Sequence, residues 1–223
     1  MRRSRGFEGA MTTRPKTARL IRLAGTDANI RLTAADRAFL QDLSRVQLIS
    51  SDLADQFHYS HLKGLSARSL ARLEQAGLLS SKPLRQAGAA TIRIYQFADK
   101  TIAGAFGGKL PVTGAMRTDL HELMSARTYF ALGRPATFRL AANFTRAEIA
   151  FCGSMRPDAL YVDTSTGEMV AVEADSGQYT RSQINSKIAQ WRRAGVTRQV
   201  WAQPKYARSA LLPDSPDIRV MRL

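Results

Sequence analysis

Cysteine is almost missing from this sequence, with Cys152 alone among 223 residues, so neither an internal disulfide nor a cysteine-based zinc cluster is expected. Histidine is nearly as scarce, and His58, His61 and His121 share no recognisable metal-binding spacing. No run of about 18 apolar residues occurs, which excludes a membrane-spanning helix as a reading of the sequence. The N-terminal stretch MRRSRGFEGAMTTRPK is basic but has no apolar core after it, so it is no secretory signal, and a cytoplasmic protein without a membrane partner is expected. Acid is also in short supply: 18 Asp plus Glu face 33 Lys plus Arg, a net charge of +15. That balance attracts polyanions through counterion release and favours nucleic acid as the partner. The excess is uneven, with 18 basic and 8 acidic residues before Val112 and 15 and 10 from there on. The first half is the better candidate for a DNA-binding surface.

Residues 1–31 are polar and basic enough to read as a disordered arm, with Met11 an alternative start. From Leu32 the pattern turns helical. LTAADRAFLQDLSRV has Thr33 as its N-cap and Phe39, Leu40 and Leu43 at helical spacing. SSDLADQF predicts a second short helix over Ser50 to Phe57. SARSLARLEQAGLL predicts a third, with Ser66 as cap, Leu70, Leu73 and Ala76 as its buried stripe and Gly77 as its end. LLSSKPLRQAGAATIRIYQF then alternates and turns, which predicts a hairpin of Leu78–Ser81 and Thr91–Phe97 around a tip at Arg85–Ala90.

Three short helices followed by a basic hairpin resemble a bacterial winged helix-turn-helix over residues 32–100. The resemblance implies double-stranded DNA as partner, with the start of the third helix in the major groove. Arg68, Ser69 and Arg72 would then face base edges, and His61, Lys63, Arg85 and Arg93 would lie by the backbone. Such modules often pair, so a homodimer is a compatible state.

TIAGAFGGKLPVTG, at 101–114, is rich in glycine and lacks a period, so it reads as a linker; it has no GxxxxGK[ST] pattern, so nucleotide hydrolysis is not expected. GAMRTDLHELMSARTYFALG predicts a helix of four or five turns with Leu120, Leu123, Met124 and Phe130 toward a core and His121 at a surface or an interface. ATFRLAAN and AEIAFCG read as short strands or strand-like connections. RPDALYVDTSTGEMVAVEAD then reads as a hairpin turning at Thr164–Gly167. In that register Asp158 faces Glu173, with side chains on one side of the sheet, where two carboxylates repel. A bound proton or a hard cation such as Mg²⁺ compensates that repulsion. Asp175, two residues on, shares the face of Glu173.

Pro157-Asp158 and Glu173-Ala174-Asp175 resemble the acids of the PD-(D/E)xK nuclease superfamily. Asp175 stands where that pattern has lysine, and TRSQINSKIAQWRRAG offers Lys187 as a relocated one, one turn after Gln183. The resemblance implies catalytic roles for Asp158, Glu173, Asp175 and Lys187, a Mg²⁺ or Mn²⁺ site of Asp158 and Glu173 with Glu122 from the preceding helix, and a nuclease-like domain over 115–223. The expected class is α+β: a winged helix, then a restriction-endonuclease-like α/β domain.

With LHELMSARTYF, RPDALYV and VAVEADSGQYTRSQINSKIAQW, the chain over 32–223 is similar to the replication-relaxation family of plasmids and mobile elements, and in layout to relaxases of the MOBC class. That likeness implies sequence-specific DNA binding in plasmid mobilization, conjugation or replication, at an origin region, with DNA nicked by a metal-dependent site. The alternative is a non-catalytic DNA-binding accessory or transcriptional regulatory protein that kept a vestigial nuclease fold.

Overall fold

The computed structural model describes residues 20–22, 29–62, 64, 66–85, 90–111, 116–175, 179–205 and 212–223. Strands β1 (Leu20–Arg22) and β2 (Asn29–Arg31) pair antiparallel inside the segment expected to be an arm. Ile30 is buried in the main core, which ties the ribbon down; residues 1–19 lie outside the described residues.

Helix α1 (Ala34–Val46) starts as its sequence predicts. The Thr33 hydroxyl accepts from the Asp36 N–H and the Asp36 carboxylate accepts from the Thr33 N–H. That reciprocal cap contributes about 1 kcal/mol. Strand β3 (Ile49–Ser50), helix α2 (Ser51–Phe57), a 3₁₀ turn at Ser60–Leu62 and helix α3 (Ser66–Gln75) follow. Gly77 takes φ 72°, and the Leu78 N–H turns back to the Leu73 carbonyl at 3.0 Å, ending α3 where the glycine predicts. Strands β4 (Leu79–Leu84) and β5 (Ile92–Phe97) form the predicted hairpin, with residues 86–89 of its tip outside the described residues. β5 lies between β3 and β4 in an antiparallel sheet.

The segment expected to be a linker begins with helix α4 (Lys100–Ala105). Asp99 caps it, accepting from the Thr101 and Ile102 N–H groups at 2.7 and 2.9 Å, and Ile102 and Ala103 are buried. A good cap and two core contacts outweigh the glycine at position 104. Residues 112–115 lie outside the described residues.

Helix α5 (Met116–Ala131) leads into strand β6 (Arg139–Leu140), a 3₁₀ turn at Ala141–Asn143 and helix α6 (Arg146–Cys152). The last corrects the expected strand at AEIAFCG: Thr145 and Glu148 cap each other reciprocally, and that local signal overrides the short apolar run. Strands β7 (Ala159–Val162) and β8 (Met169–Ala174), helix α7 (Arg181–Arg193), and strands β9 (Arg198–Gln203) and β10 (Ile218–Arg222) complete the chain. The sheet order is β10-β9-β8-β7-β6, with β8, β9 and β10 parallel and β6, β7 and β8 antiparallel to their neighbours.

β8 alternates as a strand covered on both faces must. Val170 and Val172 join a core with Leu123, Ala126 and Phe130 of α5, and Ala171 joins Ile184, Ile188 and Trp191 of α7. The first of these cores runs without a break from Ile30 to Met221, so the stretches 32–100 and 115–223 share it through α5. Phe57 of α2 stacks on Phe130 with ring centroids 4.6 Å apart. The chain is mixed α and β, and no helix among the described residues is long and apolar enough to cross a membrane.

Candidate active site

The turn at 164–167 sets the register of β7 against β8. Ala159 pairs with Val172 and Val162 with Met169, and the Asp163 N–H bonds the Glu168 carbonyl at 2.9 Å. One step beyond Ala159↔Val172, Asp158 stands across from Glu173, as the hairpin predicts. Asp158 is half-buried and held from two sides: its Oδ2 accepts the Ala174 N–H at 2.8 Å, and its Oδ1 lies 3.1 Å from His121 Nε2. The backbone bond locks the Asp158 carboxylate onto the end of β8.

Glu173 is fully buried. Its Oε1 accepts from Lys187 Nζ and from the Tyr179 hydroxyl, the latter at 2.5 Å, while its Oε2 has no hydrogen-bond partner among the described residues. Lys187 reaches it from α7, where Thr180 and Gln183 form a reciprocal cap and Ile184, Ile188 and Trp191 bury the helix against the sheet. The Lys187 ammonium also lies 4.8 Å from the centre of the Tyr179 ring and 5.5 Å from that of Trp191. Burial, and then the neighbouring Asp158, push the Glu173 carboxyl upward against the pull of Lys187 and Tyr179. A buried carboxylate oxygen without a donor is costly, so this oxygen calls for a proton or a cation.

His121, expected at a surface or an interface, is instead a partner of Asp158. Its bond to Asp158 outweighs burial and pushes its pKa up to about 9, so it is an imidazolium at neutral pH. Glu122 beside it is raised chiefly by burial, with His121 opposing and Asp158 adding to the rise. Tyr179, also missed as a partner, is pushed up by burial and by Glu173, so its proton stays on the hydroxyl. The one available signal for both was their place in the segments LHELM and SGQYTRS that flank the two acids.

Asp175 lies on the Glu173 face but is turned to β9: Gln203 Nε2 donates to its Oδ2 at 2.7 Å, and its own N–H bonds the Ala202 carbonyl at 2.8 Å. The structure therefore gathers Asp158, Glu173, Lys187, His121, Glu122 and Tyr179 at one end of the sheet, with Asp175 alongside, held by Gln203. Among the described residues no group of three or more histidine, cysteine or acidic side chains is arranged to hold a metal ion. The donors that are present still suit a hard cation: Mg²⁺ takes one or two carboxylates and fills the rest of its shell with water and substrate phosphate. Asp158 and the orphan Glu173 Oε2 meet that requirement.

In the first half, Arg68 is exposed on α3 with no acidic partner among the described residues, and Ser69 beside it is half-buried. Arg72 has a different task, since it donates to the buried Asp36 and, at 2.9 Å, to the Arg31 carbonyl, bridging α3 to α1 and β2. His61 and Arg85 are exposed, Arg93 donates to Ser81 at 2.9 Å, and Lys63 lies outside the described residues. Comparison with family models, with curated proteins and with solved structures found no match.

Proposed function

We propose that this chain is a DNA-binding protein of plasmid mobilization or replication that cleaves one strand of its site with a Mg²⁺- or Mn²⁺-dependent, nuclease-like centre. The order α1, β3, α2, α3, β4, β5, with β5 between β3 and β4, supports a winged-helix reading of the first half, and the +15 charge supports a nucleic-acid partner. The helix-strands-helix-strands order around β7 and β8 supports a nuclease-like reading of the second.

A single observation carries the reading: Lys187, placed on a helix, converges on Glu173, a buried glutamate whose second oxygen lacks a partner among the described residues, across the hairpin from Asp158. Asp158 and Glu173 would hold the cation, with Glu122, whose carboxyl feels the charge of Asp158, as a candidate third acid. When bound, it would polarise the scissile phosphate and lower the pKa of a bound water. Lys187 fixes Glu173 Oε1 and carries positive charge toward the phosphate, stabilising the charge that builds there. The imidazolium of His121 orients Asp158 and could offer a proton to a leaving oxygen. Tyr179 and Lys187 both donate to Glu173 Oε1, so Oε2 is the oxygen that would be left to take a cation.

A second reading, a DNA-binding accessory or regulatory protein with a vestigial site, is favoured by one observation. His121 on Asp158 and Lys187 on Glu173 already balance both carboxylates. Calorimetric titration of Mn²⁺ into the protein bound to an origin duplex separates the two. One metal site that disappears in Asp158→Asn and Glu173→Gln supports the nuclease reading. Duplex binding without metal uptake establishes the accessory protein.

A further inference from the structure

Among the described residues the two larger sheets have four edges, and three of them are guarded. β3 and β6 are two residues long, and β4 carries Lys82 and Pro83. Short strands, lysine and proline are devices by which a sheet keeps another strand from pairing with its edge. β10 runs five residues, Ile218–Arg222, with neither lysine nor proline, and Val220 at its middle is 39 % exposed. The hydrogen bonds to β9 fix which way each of its residues turns. The Gln199 N–H donates to the Asp217 carbonyl at 2.8 Å, the Leu223 N–H to the Gln203 carbonyl at 3.0 Å, and the Lys205 N–H to the Leu223 carbonyl at 3.2 Å. Alternate residues of a parallel strand bond the same neighbour, so with 217 and 223 turned to β9 the positions 219 and 221 are turned there too. Val220 therefore aims its N–H and its carbonyl away from the sheet. The N–H of Ile218 is already taken by the Ser215 carbonyl at 3.0 Å, which leaves Val220 at the centre of the open stretch.

A strand laid antiparallel on this edge about Val220 satisfies both of its outward groups, and β10 itself matches that role. With Val220 against the second copy's Val220, the two exchange N–H···O=C bonds across a Cα separation of about 5.5 Å. Ile218 then faces Arg222 and Arg219 faces Met221, so no arginine meets an arginine, and the two exposed valines lie side by side on one face of the sheet. Centring the pair on Arg219 instead would set two guanidinium groups against each other. A foreign strand would meet the same backbone groups, but this register is written in β10's own sequence, and a strand paired with its own copy closes on a two-fold axis. We propose that the chain forms a homodimer in which two copies of β10 pair antiparallel about Val220, joining the two five-stranded sheets into one continuous sheet. The inference does not depend on the DNA reading. A ribbon of five residues a side buries less than a standard interface, so the dimer should dissociate on dilution.

Sedimentation velocity of the full chain over a concentration series tests the dimer, and mild oxidation of cysteine variants tests its register. Wild type should pass from monomer to dimer as concentration rises. Val220→Pro removes an N–H that β9 does not use, so circular dichroism and the melting temperature should hold while the loss of two intermolecular bonds weakens the dimer by about tenfold or more. Val220→Cys should give a disulfide-linked dimer, because a facing Cα separation of about 5.5 Å suits the bond. Arg219→Cys, whose two copies lie two residues out of step, should not, and the buried Cys152 does not compete. The cysteine variants read the register without relying on the proline variant. A wild type that stays monomeric at every concentration tested overturns the proposal. A dimer that Val220→Pro leaves intact and Val220→Cys fails to link lies elsewhere on the surface, and overturns it as well.

Discussion

His58 is the clearest case of a residue whose surroundings dictate its charge. Its side chain is fully buried, packed edge-on against Phe39 and Phe130, with Nε2 3.4 Å from Asp42. The contact is too poorly aligned to count as a hydrogen bond, and both ring nitrogens lack a partner among the described residues. Desolvation therefore wins over the attraction of Asp42, with Arg134 also opposing the proton, and the pKa falls from 6.5 to about 4. A histidine depressed in the fold binds its proton first in the unfolded chain. Stability is intact above about pH 6.5 and declines as pH falls toward 4, by about 3 kcal/mol in all. Urea unfolding at pH 7 and pH 4 should show that decline in the wild type and a clearly smaller one in His58→Phe. The converse case is Lys187→Met, which leaves Glu173 buried without its cation. The carboxyl of that variant is raised in the fold above its unfolded value, so its penalty is small near pH 5 and grows with pH, to about 3 kcal/mol at pH 8. Denaturation midpoints of variant and wild type at the two pH values check this. Asp158, Glu173 and Lys187 were legible because a hairpin turn and a helical spacing fix their positions. His121 and Tyr179 were not, because nothing local in the sequence brings a helix N-terminal to a strand, or a loop after it, onto a particular carboxylate.

Elements follow the same division. Where a side chain caps its own helix or a glycine ends one, sequence and structure agree, as at Thr33 and Gly77. Gly77→Ala should cost roughly 1–2 kcal/mol, since a Cβ meets no neighbour there and the penalty is the left-handed backbone alone. Guanidinium melts of the variant measure it. The β7–β8 register was legible for a similar reason: strict alternation and a four-residue turn leave one pairing that buries the apolar face. α4 and α6 were misread because glycines and a short apolar run outweighed their caps, although Asp99 and the Thr145–Glu148 pair were there to be read. Arg72 shows the limit of charge as a guide: on an exposed helix face it looks like a DNA contact, yet the buried Asp36 claims it. The Asp36 carboxylate needs that partner as much as it needs Thr33, and only the fold brings α3 to α1.

At the scale of the whole molecule the two halves are joined through α5. Tyr129 donates to Asp42 of α1 at 2.7 Å, Phe130 stacks on Phe57, and Lys82 of β4 pairs with Asp119. A glycine-rich segment between two patterned stretches reads as a linker, whereas burial of α5 against both makes one core. Thermal unfolding should therefore be a single transition, with circular dichroism coinciding with the fluorescence of Trp191 and Trp201, both of which lie in the second half. Phe130→Ala should lower stability by about 3–5 kcal/mol in both probes together. Separate transitions would mean that the halves fold independently. The shared core also fixes the distance between α3 and the site of Asp158 and Glu173, which the proposed nicking function would require.

The central claim is tested most directly by incubating purified protein with supercoiled plasmid carrying an origin region, in Mg²⁺ or Mn²⁺. Wild type should convert it to open circles, and Asp158→Ala and Glu173→Ala should each abolish conversion while still retarding the plasmid. Nicking that survives both substitutions, or a wild type that binds the plasmid and leaves it supercoiled at every metal concentration, would contradict it.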